Sequence, residues 1–168
     1  MSCLYKCVFR AEEKSLSWKE RRLLRKNWRK MIENQPDLIS RAWIDAAHRD
    51  NSVKKAFRLE EGKDPSEKAE FVRMTKTATD FFDRIVYRYG ASNERVRKAC
   101  FHLGLIHFQL LKTTPNWGVL AGCLVVSAQD AKLGVTGNER CELLTAWEKL
   151  IDIVFEAVMQ GYASAADL

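Results

Sequence analysis

The sequence predicts an all-α protein, six or seven packed helices without a sheet. Three observations predict it. Apolar residues recur at steps of three and four through most of the chain. No sustained run alternates apolar with polar residues as a half-buried strand does. Glycine and proline fall between the periodic segments, where connections belong.

Ser17 opens the first helix as a cap, with Glu20 three residues on in a capping-box pattern, and the helix runs to about Asn34. Pro36 and Asp37 start a second helix that turns Leu38, Ala42, Trp43 and Ala46 inward and fades between His48 and Ser52, before a short turn over Val53 to Phe57. In "EEGKDPSEKAEF", Asp64 caps a new start, with Pro65 at the first helical position and Glu67 at the third. From there Phe71, Met74, Ala78, Phe82, Ile85 and Val86 form one long stripe that Gly90 stops. The next helix begins after Ser92 or Asn93 and ends before Thr113 to Pro115. Another starts near Asn116 and passes through Trp117, Leu120, Ala121, Leu124 and Val125. The last starts between Thr136 and Asn138, carries Leu144, Trp147, Ile151, Val154 and Val158 on one face, and ends before Gly161.

A chain of 168 residues suits one domain with a buried core. Its 46% hydrophobic and 30% charged residues are those of an ordinary globule, and no apolar run approaches the roughly 20 residues that span a bilayer. Lys6 and Arg10 interrupt the apolar N-terminal stretch, which excludes a secretory signal and predicts a cytoplasmic protein. Five cysteines in no paired spacing read as free thiols rather than a disulfide framework or zinc site. Cys3 and Cys7, among Leu4, Tyr5, Val8 and Phe9, have two readings: part of a flexible tail, or acylation sites that hold the chain at a membrane surface.

The net charge of +6 is concentrated in "KERRLLRKNWRK", where Arg22, Arg25, Lys26 and Arg29 share one helical face and Leu24, Trp28 and Ile32 the other. That face is either simply solvated or a contact for an acidic protein or a membrane surface. Nucleic acid is not expected, because Trp28 falls on the apolar face and no nucleic-acid motif follows.

In "KACFHLGLIHFQLL" the helical phase puts Val96, Cys100, Leu103, His107 and Leu110 on the buried face, so an imidazole points inward among leucines. A buried ring must find partners for both nitrogens. A core histidine bonded to a backbone carbonyl meets that need; so does a metal ligand.

The order of landmarks resembles a globin. "LSWKERRLLRKNW" resembles the start of the first globin helix, "VKKAF" ends in a phenylalanine like the one globins place against the haem, "LGLIH" resembles the segment with the proximal histidine, and "AWEKLIDIVFEAVMQGY" resembles the final helix. The likeness covers about Leu16 to Tyr162. It implies a globin fold of six to eight helices around a haem pocket over residues 16–163, with short tails at 1–15 and 164–168. It implies haem b as cofactor, with His107 the proximal iron ligand, Leu103 and Leu111 beside the porphyrin, Phe57 stacked on it and Trp43 over the distal pocket.

On the distal side the likeness aligns Met74 where many globins have histidine, with Thr77 and Ala78 on the next turn. Methionine donates no hydrogen bond to bound dioxygen, but its thioether can ligate iron. Met74 is therefore either a distal ligand or apolar filling, and Trp43 either donates its indole N–H to a ligand or crowds the space. The implied function is gas or redox sensing or electron transfer, with dioxygen or another diatomic gas as ligand and a redox partner. The alternatives are reversible oxygen binding, or a haem-free helical module that uses the basic first helix for contact. No nucleophile motif, paired carboxylate or phosphate loop points to an enzyme, although the haem the likeness implies can reduce peroxide or oxidise nitric oxide.

Overall fold

The computed structural model describes residues 14–59, 68–111 and 113–167. Among them are seven α-helices, one π-helical turn and no strand: α1 Trp18–Asn34, α2 Leu38–Arg49, α3 Asn51–Ala56, α4 Ala69–Asp83, α5 Asn93–Leu110, α6 Trp117–Asp130 and α7 Gly137–Ala166, with the π turn at Arg84–Arg88. Among the described residues no helix is long and apolar enough to cross a membrane. The tail with Cys3 and Cys7, and the cap at Asp64, Pro65 and Glu67, lie outside the described residues.

Helix starts follow local chemistry. Ser17 accepts from the Glu20 amide at 3.3 Å while the Glu20 carboxylate accepts from the Ser17 amide at 2.7 Å, closing the capping box. Asp50 caps α3 by accepting from the Ser52 amide at 2.7 Å, so the stretch expected as a turn before Phe57 is a short helix. Asn116 caps α6 by accepting from the Val119 amide at 3.2 Å.

The core gathers around α7. Trp28 of α1 stacks on Trp147 of α7 at 5.5 Å between ring centroids, and Phe82 packs against both. The indole N–H of Trp28 donates to Asp83 at the end of α4, so the largest core ring has its one polar atom satisfied. Along α7, Leu143, Trp147, Leu150, Ile151 and Val154 are buried on the side that meets α1, α5 and α6.

Two glycines set the distance between α5 and α7. A Cβ on Gly104 would collide with the Val158 carbonyl oxygen, and one on Gly161 with the Phe101 carbonyl oxygen, so the backbones touch at this crossing. Gly161 therefore does not end the last helix. It is a packing residue inside α7, which continues to Ala166 through the start of the expected C-terminal tail. Gly90 is a true terminator: it and Ala91 take left-handed φ values of 60° and 50°, and the Ala91 amide donates to Ile85 O at 2.9 Å.

Leu110 also departs from its helical phase. Its phase assigns it inward, yet it is 68% exposed, with Ile106 and Phe108 also exposed. Six residues past Gly104 the helix has run on about 9 Å, beyond the crossing that covers it.

Candidate functional site

The apolar stripes of five helices leave a partly open cavity of about 260 Å3. Trp43 of α2, Phe57 after α3, Met74, Thr77 and Ala78 of α4, and Leu103 and His107 of α5 all line it. These residues are distant in sequence and are brought together by the packing of α2, α4 and α5 around α6 and α7. Leu111 is not part of the lining: α5 ends at Leu110, the Leu111 backbone is extended, and its side chain is half-buried against the core instead.

His107 is held by its own helix. Its Nδ1 lies 2.8 Å from Leu103 O, one turn earlier. A carbonyl oxygen only accepts, so Nδ1 carries the proton. Burial pushes the His107 pKa down, against the upward pull of the Leu103 bond, so the ring is neutral at pH 7. A neutral ring protonated at Nδ1 has its lone pair on Nε2, which is the atom a metal ion takes. Trp117 packs edge-on against the imidazole at 5.5 Å and limits its rotation.

Two donors in the lining are unsatisfied. The indole nitrogens of Trp43 and Trp117, both on rings more than nine-tenths buried, have no hydrogen-bond partner among the described residues. A buried N–H without a partner is costly, and an acceptor inside the cavity would remove that cost. Trp43 is in edge contact with Phe57 at 6.2 Å, which fixes its ring. Thr77 offers no free hydroxyl hydrogen, since Oγ1 donates to Arg73 O at 2.8 Å. Met74 is half-buried at the cavity wall.

Sequence reasoning did not select Phe81, Arg84, Trp117 and Phe155, which also line the cavity. Phe81 follows Met74 and Ala78 at helical steps, so extending the α4 stripe by one turn finds it. Phe155 and Trp117 enter only because α6 and α7 cross behind His107. Arg84 stands at the edge, its guanidinium 5.8 Å from the centre of the Phe81 ring.

On α1, Arg22 lies over the Trp18 ring at 5.4 Å, Arg25 and Arg29 are exposed, and Lys26 is paired with Glu139 of α7 at 2.8 Å. The free basic face is thus narrower than the helix pattern suggests. Cys100, Cys123 and Cys141 are free thiols, and burial pushes Cys100 up to about 12, which keeps it protonated. Among the described residues no three His, Cys, Asp or Glu side chains are gathered for a metal ion. Compared with protein-family models, curated proteins and solved structures, the chain matches none.

Proposed function

We propose that the chain is a haem-binding protein of globin type, working in gas or redox sensing or in electron transfer. The observation that carries this reading is His107: a neutral imidazole on an apolar cavity, its Nδ1 proton held by Leu103 O and its Nε2 lone pair left over. The donor set fits haem b, since one oriented histidine is enough to ligate its iron and apolar rings suit the rest of the macrocycle. Haem, when bound, supplies an iron centre that takes a diatomic gas or an electron.

The protein's own residues then have distinct tasks. His107 Nε2 would hold the iron. Phe57 and Leu103 would pack on the ring. Trp43 would donate its unsatisfied N–H to a bound gas, and Met74 would either fill the remaining space or offer its thioether. Arg84, exposed at the cavity edge, would meet a haem carboxylate. The cavity of about 260 Å3 lies below the roughly 300–1,000 Å3 usual for cofactor sites. Phe81, Arg84 and Leu103 also line a neighbouring groove, and the cavity would widen in that direction.

That small volume is the specific observation in favour of a second reading, a haem-free helical module whose core closes without a cofactor. Visible absorbance of the purified protein, before and after adding haemin, separates the two. A Soret band that His107→Ala loses supports the haem reading. No band and no saturable uptake of haemin leaves the helical module. If haem is taken up, repeated cycles of oxygenation without oxidation mark reversible oxygen binding.

A further inference from the structure

Beside the cavity, and sharing Phe81, Arg84 and Leu103 with it, an open groove of about 730 Å3 runs between the π turn and the first turns of α5. Arg84, Arg88, Arg95, Lys98 and His102 line it, with Phe81 and Tyr89, and no carboxylate is among its lining residues. We propose that this groove binds a small molecule bearing several phosphates.

What sets these cations apart is their gathering in one concave lining that holds no carboxylate. Among the described residues no ion pair involves Arg84, Arg88, Arg95 or Lys98. Their mutual repulsion is unfavourable, and Arg95 lies in the first turn of α5, where the helix dipole opposes positive charge. Local electrostatic rules broken together at one concave place are what a ligand-binding surface looks like before its ligand arrives. A single carboxylate would leave most of this charge unbalanced. A chain of phosphates answers all of it, and arginine's planar fork suits phosphate oxygens.

The backbone holds the array in place. The Tyr89 amide donates to Arg84 O at 2.9 Å, five residues back, so the π turn widens the helix and brings Arg88 and Tyr89 alongside Arg84. Ala91, a fully buried residue without glycine's freedom, is kept at φ 50° and turns the chain directly into α5. On α5, Arg95, Lys98 and His102 follow at steps of three and four and face the same groove. The volume is that of a small-molecule site, and Phe81 and Tyr89 provide ring faces against which a nucleobase can lie.

The test is calorimetric titration of the purified full chain with sodium tripolyphosphate and with ATP, at about 0.15 M ionic strength, with sulfate as the single-anion control. Saturable 1:1 binding with Kd on the order of 10 µM is expected. Arg88→Glu with Lys98→Glu should weaken it at least about tenfold, while Arg22→Glu with Arg25→Glu on α1 leaves it unchanged. Phe81, Arg84 and Leu103 line both the groove and the cavity, so the titration is repeated on His107→Ala, where binding should survive and tests the groove apart from the haem reading. No saturable heat, or equal loss from the α1 reversals, overturns the proposal. So does binding to anionic lipid vesicles or acidic peptides without binding to the soluble polyphosphates.

Discussion

His107 Nδ1 donates to Leu103 O across 2.8 Å, and this bond determines which imidazole nitrogen is free at the cavity. His107→Ala removes that nitrogen and leaves the helix intact. Haem uptake, read as Soret absorbance, should be lost or become loose, while His102→Ala, on an exposed ring, should leave it unchanged. The reverse pattern would transfer the ligand role to His102.

Trp43→Phe deletes one unsatisfied N–H and keeps most of the ring. If that donor bonds a bound gas, the gas should dissociate about fivefold faster, since a hydrogen bond contributes about 1 kcal/mol and 1.4 kcal/mol is tenfold. Flash photolysis or stopped-flow exchange measures it. An unchanged rate would make Trp43 a packing residue.

Met74→Leu keeps volume and apolarity while removing the sulfur. With methionine ligation, ferrous haem-loaded protein is low-spin and six-coordinate, and the leucine variant becomes five-coordinate and binds carbon monoxide faster. A wild-type ferrous spectrum that is already five-coordinate makes Met74 filling only.

Gly104→Ala forces its Cβ into the Val158 carbonyl, and neither partner is a movable side-chain tip. α5 and α7 must separate, with a loss of about 1–3 kcal/mol or more in urea unfolding. Gly122→Ala on α6 is the contrast. A Cβ there meets nothing within 4 Å, so the variant should gain about 0.5–1 kcal/mol from helix propensity alone.

Glu20 ties α1 to α7 through Lys149 at 2.6 Å and closes its own capping box. Burial pushes its pKa up, but the bonds to Lys149 and Ser17 outweigh it and hold the group below its ordinary 4.5. A carboxyl depressed on folding contributes stability above 4.5 that is lost as pH falls through the lower folded value. Gln at this position keeps the capping bond and removes only the charge, so Glu20→Gln should cost about 0.5–1 kcal/mol at pH 7, and the difference from wild type should shrink under acid, as urea midpoints at pH 7 and pH 3 would record.

Much of the architecture was legible because helices are specified locally. Ser17 with Glu20, Asn116, and Gly90 mark helix ends through bonds and dihedrals that reach only a few residues. The three- and four-residue steps of α2 and α4 identify Trp43, Met74 and Ala78 as facing inward without knowledge of what they face. His107 stands out for the same reason, a polar ring in phase with an apolar stripe.

What the tertiary structure decided depends on where helices cross. Periodicity assigns Leu110 to the buried face, but burial requires a neighbour at that height, and α7 touches α5 at Gly104 and Gly161 instead. Gly161 reads as a stop signal and is a contact, because a missing Cβ serves either purpose and only the approach of the Phe101 carbonyl distinguishes them. Lys26 reads as part of a free basic face until Glu139, 113 residues away, arrives beside it. The cavity and the basic groove likewise belong to no single segment. Sequence periodicity specifies the phase of each helix, whereas shared spaces follow from the crossing distances that glycines and large rings impose on the assembled bundle.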